Sequence, residues 1–129
     1  MPSIRDGRQV GGLVLRALLT TVFLVAGGMK LAAAEFEVSN FARFGYPPWF
    51  IYAVGAAQLL GAVLLWGRGF VAYGALLLAA LMVGGVVSHL WAGDPILMPA
   101  PATFLFVLLC GLAYARRREF LPSDGRGGT

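Results

Sequence analysis

Apolar residues dominate four stretches of the chain, roughly 11–33, 48–66, 70–91 and 96–115. About 20 mostly apolar residues cover the hydrocarbon core of a bilayer, and a helix there satisfies its own backbone groups. The breaks are polar or stop helices. Gly67-Arg68-Gly69 alone separates the second stretch from the third, which demands an antiparallel hairpin. Pro95, Pro99 and Pro101 fix where the fourth helix begins. The pattern predicts an all-α integral membrane four-helix bundle, up-down-up-down, over residues 1–118, with a polar, disordered tail at 119–129.

The segments between spans add detail. "EFEVSNFARF" alternates charged and aromatic residues, and is expected to lie along the outer surface or tuck back over the bundle mouth. Pro47 and Pro48 suit a helix start, and Gly45 a turn. Tyr46, Trp49, Trp66 and Trp91 fall near span ends, where amphipathic rings settle at the headgroup boundary.

Composition agrees with a lipid-embedded chain. Of its 129 residues 59% are hydrophobic and 12% charged, against about 25% charged in soluble domains. Arg5, Arg8, Arg68, Arg116, Arg117, Arg118 and Arg126 fall on one side of the predicted bundle. Arg43 falls on the other, with Glu35, Glu37 and Asp94. The positive-inside rule then puts both termini in the cytoplasm. A multi-pass protein of the bacterial cytoplasmic (inner) membrane is expected, with lipid as its surroundings and no nucleic-acid partner. The first apolar run is too long for a signal-peptide core, so it reads as a retained anchor.

One cysteine, Cys110, excludes an intrachain disulfide or a C-x-x-C pair. With His89 the only histidine, a closed zinc site is disfavoured and no metal is expected. Haem fits poorly for the same reason.

Small residues at four-residue spacing, Ala53, Ala57 and Gly61 on helix two and Ala80, Gly84 and Ser88 on helix three, predict a close hairpin contact. Polar residues within the spans are costly in hydrocarbon and therefore informative. They are Arg16, Thr20, Thr21, Lys30, Gln58, Ser88, His89 and Thr103. At 100° per residue, Arg16, Thr20, Phe23, Gly27 and Lys30 share one face of helix one within about 40°, a face expected to look inward. Lys30 and His89 lie near the outer ends of their helices, with Gln58 deeper. Glu35, Glu37 and Asp94 are able to close that layer from above. The candidate binding residues are Lys30, Gln58, His89, Arg16 and Tyr46, and no catalytic group is identified. A competing reading has Arg16 and Lys30 snorkelling, or Arg16 bonding helix-end carbonyls, with His89 hydrogen-bonding at the interface and Gln58 joining helices.

The order "RALLTTVFLVAGGMKL", "FARFGYPPWFIYAVGAAQLLGAVLL", "LMVGGVVSHLW" resembles the DoxX-like family of small four-helix membrane proteins. The likeness rests on Arg16, on Gly27 with Lys30-Leu31, on Gly45-Tyr46-Pro47 and on His89, and covers helices one to three. The family often has a glutamate where this chain has Gln58; an amide hydrogen-bonds but cannot relay a proton as a carboxylate does. The resemblance implies a partner in membrane oxidoreductase or oxidative-stress systems, since the family takes its name from a subunit associated with a thiosulfate:quinone oxidoreductase.

Two readings follow. In the first, the protein is an accessory or quinone-interacting subunit of a membrane oxidoreductase system. Lys30 and His89 donate to a ring carbonyl, Gln58 orients the ring, and Phe23, Phe41, Phe44 and Tyr46 form walls. In the second it is a non-enzymatic assembly factor or chaperone-like partner of another membrane protein, its polar layer an internal latch. Either reading implies a membrane-protein partner or a homo-oligomer. A solute carrier is disfavoured, because inverted repeats and broken midspan helices are lacking.

Overall fold

The computed structural model describes residues 4–121, with the side chains of 4–6 and 8 left aside. Its regular structure is helical: α1 (Ile4–Leu31), α2 (Glu35–Phe44), α3 (Pro48–Leu64), α4 (Val71–Trp91) and α5 (Ala100–Ala115), then a 3-10 turn at Arg117–Phe120. No strand occurs among the described residues. Most of the expected tail, 122–129, lies outside them.

Proline and glycine set the boundaries. Pro47, extended at ψ 153°, precedes α3, whose first residue Pro48 has no N–H to leave unpaired. Gly45 ends α2 at φ 85°, where its N–H bonds Ala42 O and that of Tyr46 bonds Phe41 O. Pro99 precedes α5, so residues 96–98 form a turn instead of the first helical turn expected from 96.

Two helices are long and apolar enough to cross a membrane, α1 over Gln9–Leu31 (23 residues) and α4 (21 residues). α3 has 17 residues and α5 has 16, about 26 and 24 Å long at 1.5 Å per residue. α2 and α3 together pass the same test but meet at a bend of 117°. The segment expected to lie along the outer surface or over the bundle mouth is a ten-residue helix.

α1 packs on α3, α3 on α4 and α4 on α5. Leu19 and Phe23 of α1 join Ala62, Leu65, Leu78, Leu109 and Leu112 in one buried cluster. Glycines let the backbones approach. A Cβ on Gly27 would lie 2.9 Å from Gly55 O, and one on Gly74 would lie 2.9 Å from Gly61 O. The small-residue stripes expected on the hairpin are therefore corrected. Gly61 does face α4, but against Leu78, while Ala53 and Ala80 are exposed and Gly84 has open space beside it. The short turn at 65–70 sets this register, bringing the last turns of α3 against the first turns of α4.

The inward face expected on α1 is observed: Phe23, Gly27 and Lys30 are buried, and Arg16 and Thr20 partly so. At one end, Arg16 lies with the α3–α4 turn, and Glu119 accepts the Ala72 N–H at 2.7 Å. This is the arginine-rich end. Lys30, Glu37, Tyr46, Ser88, His89 and Asp94 gather at the opposite end, called here the Asp94 end. Leu18, Val25, Leu76, Val83, Phe104 and Val107 are exposed on the flanks between the ends, as lipid contact requires.

Candidate functional site

At the Asp94 end α2 lies across the ends of other helices, held by ion pairs at two points. Lys30 Nζ, on α1, meets Glu37 Oε1 at 3.2 Å, with side chains 10% and 13% exposed. Arg43, in the last turn of α2, donates Nη1 to Asp94 Oδ1 at 2.6 Å and Nη2 to Oδ2 at 3.1 Å. His89 Nδ1–H donates to Asp94 Oδ2 at 2.7 Å. Arg43 foremost, and then His89, holds the Asp94 carboxyl below the usual carboxylate range.

Aromatic rings fill the space beneath α2. Phe44 stands edge-on to His89 at 5.1 Å, and Phe41 lies 5.8 Å from Tyr46. The Tyr46 hydroxyl is bonded to Ser88 Oγ. Ser88 gives its proton to Gly84 O at 2.7 Å, so Tyr46 must be the donor to Ser88. Beside Tyr46 opens a cavity of about 330 Å³ whose lining includes Val38, Phe41, Tyr46, Ile51 and Tyr52.

The sequence-derived site is thus divided. Lys30 and His89 share an end of the molecule, but each binds its own carboxylate. Of the two acids expected from the first loop, Glu37 does close the layer, whereas Glu35 is exposed. Gln58 is 3% exposed, and its Oε1 has no hydrogen-bond partner among the described residues. Phe23 belongs to the core instead of a pocket wall. Arg16 is remote from all of these. It donates Nη1 to Leu65 O at 3.0 Å and stacks on Trp66 at 4.6 Å. Trp66 in turn donates to Thr20 Oγ1 at 2.6 Å. Arg16 therefore bonds a helix-end carbonyl, the competing reading made for it.

Sequence reasoning missed Arg43, which links α2 to Asp94 and through it to His89. Its position as the one arginine on the side that carries Glu35, Glu37 and Asp94 was the available signal. Tyr52 of the cavity was missed as well, hidden in the apolar run of α3. Among the described residues, no three of His, Cys, Asp or Glu gather as a metal site would need.

Residues 14–111, three quarters of the chain, match the model of the DoxX-like family. The chain belongs to the DoxX-like family. The match includes Arg16, Lys30, Tyr46, Gln58 and His89. Two Bacillus subtilis proteins are similar to this DoxX-like chain. The "Uncharacterized protein YdgD" is 28% identical over 102 residues, 74% of this chain and 89% of YdgD. The "Putative oxidoreductase CatD" is 26% identical over 80 residues, 62% of this chain and 60% of CatD. No solved structure matches this family member. With its apolar helices, family membership makes it a membrane protein.

Proposed function

We propose that the chain is an accessory, quinone-interacting subunit of a membrane oxidoreductase system. In this reading residues 1–118 cross the bacterial inner membrane four times, up-down-up-down. Both termini face the cytoplasm, and the Asp94 end faces outward. The observation that carries the reading is the aromatic-lined cavity of about 330 Å³ beside Tyr46, roofed by α2. It is apolar enough for a planar ring, and the phenols of Tyr46 and Tyr52 are its polar groups. Lys30 and His89 act indirectly, holding the roof through Glu37 and Asp94. The printed name of CatD lends the oxidoreductase setting some support. Electrons come from a partner membrane protein, since no cofactor-binding motif occurs in the sequence.

The test is quinone retention by the purified full-length chain. A short-chain quinone is expected to co-elute with the protein, and Ala42→Trp, which puts a bulky ring into the cavity from α2, is expected to reduce its retention. Equal retention by the variant and the wild type sinks the reading.

A second reading has its own observation. Lys30 pairs with Glu37, and Arg43 and His89 share Asp94, two ion-pair groups of the kind an internal latch needs. The protein is then a non-enzymatic assembly factor or chaperone-like partner whose exposed helix faces dock a client. Mild-detergent purification from native membranes separates the two. A stoichiometric redox enzyme favours the subunit, and diverse substoichiometric membrane proteins favour the assembly factor.

A further inference from the structure

A second cavity, about 510 Å³, opens between α1 and α5 at the arginine-rich end. Gly12, Leu13 and Arg16 border it on α1, and Leu112 and Arg116 on α5. We propose that this groove binds the phosphate head group of an anionic phospholipid, with the first part of an acyl chain against Leu112.

The charge inventory supports an anion. Arg16 uses Nη1 on Leu65 O, but its Nε is buried without a hydrogen-bond partner among the described residues. Arg116 is paired at 3.2 Å with Glu119, whose other oxygen accepts the Ala72 N–H. Among the described residues, one carboxylate thus stands against two guanidiniums at the groove, and exposed Arg117 and Arg118 follow in the next turn. An anion supplied from outside balances that excess charge.

Depth argues for a lipid as the source. Arg16 is level with the last residues of α3 through its bond to Leu65 O. The α4 start and the α5 end share that level, because Glu119 bridges Ala72 and Arg116. Aligned helix ends beside long apolar flanks mark the headgroup boundary, where basic pockets between membrane helices take anionic head groups. Leu112, one turn before Arg116 on α5, walls the groove on its membrane side, a surface that a free phosphate would not use.

Gly12 allows a test that leaves the fold intact. A Cβ there would meet nothing within 4 Å, so Gly12→Leu fills the groove without displacing a neighbour. The full-length chain is extracted from bilayers of phosphatidylcholine and phosphatidylglycerol, and bound lipid is counted by native mass spectrometry. One phosphatidylglycerol is expected to persist where phosphatidylcholine is stripped. Arg116→Gln should weaken its retention roughly fivefold, the effect of one basic side chain at a membrane surface. Gly12→Leu should abolish retention at a melting temperature no lower than that of the wild type. The proposal is overturned if both lipids persist equally, or if Gly12→Leu and Arg116→Gln retain phosphatidylglycerol like the wild type. It is also overturned if inorganic phosphate at millimolar concentration displaces the lipid completely, since the site would then recognise the free anion. Quinone retention at the Asp94 end should be unaffected by either variant, so this site and that one fail separately.

Discussion

Gln58 is the residue whose cost is plainest. Its side chain is 3% exposed, and its carbonyl oxygen accepts no hydrogen bond among the described residues. A buried acceptor left unsatisfied costs about 1–3 kcal/mol, and removing it with an apolar group of similar shape recovers part of that. Gln58→Met is therefore expected to raise the thermal midpoint, by an amount worth about 1 kcal/mol. Gln58→Glu should lower it at neutral pH, because a carboxylate there would be buried without a partner cation. Tryptophan fluorescence during heating in detergent measures both. A Gln58→Met protein that unfolds earlier than wild type would mean that the amide bonds across helices through its NH₂ group. The polar character of this position was legible in the sequence, but its missing partner was not, since that depends on the phase at which α1 and α4 meet α3.

Among the elements, α2 is the one held chiefly from its ends. None of its residues is buried, so the core contributes little to its placement. Lys30–Glu37, Arg43–Asp94 and the rings of Phe41 and Phe44 hold it instead. This gives a pH dependence with a definite sign. The Asp94 carboxyl is held below its ordinary value by Arg43 and then His89. A depressed folded value means that the stabilisation is complete above the unfolded-state pKa, about 3.9, and is lost as pH falls through the lower folded value. Amide exchange of α2 in detergent should therefore stay slow from neutral pH through the ordinary carboxylate range and quicken only below it. Asp94→Asn should quicken it at neutral pH. Unchanged exchange in that variant would assign the placement of α2 to the aromatic rings alone. The apolar runs predicted the other helices, though α1 begins at Ile4 instead of 11 and α5 at Ala100 instead of 96, the second shift set by Pro99. They could not predict α2, whose charged–aromatic alternation has no apolar stripe. Its helical signals were weaker ones: Glu35 and Glu37 in the first turn, Arg43 in the last, and Gly45 as a stop.

For the whole molecule, the inward face of α1 was readable because five residues at helical spacing carried it. The destination of Arg16 was not readable, because Leu65 is distant in sequence, whereas Lys30 at the opposite end pairs with Glu37, one of the acids the sequence placed near it. The same distribution bears on how many times the chain crosses the membrane. α1 and α4 are each long enough to cross, but α3 has 17 residues and meets α2 at 117°. If α3 crosses, residue 39 on α2 and residue 68 in the α3–α4 turn lie on opposite sides of the bilayer. If α2 and α3 form a re-entrant pair, both lie on the same side. Ser39 and Arg68 are exposed, so each accepts a cysteine, and Cys110→Ala removes the native thiol. With a membrane-impermeant maleimide, Ser39→Cys should label in intact spheroplasts, and Arg68→Cys only in inverted vesicles. That outcome follows from four crossings with the arginine-rich end inside. Labelling of both from the same side would reduce the chain to fewer crossings and move the Tyr46 cavity relative to the membrane surface.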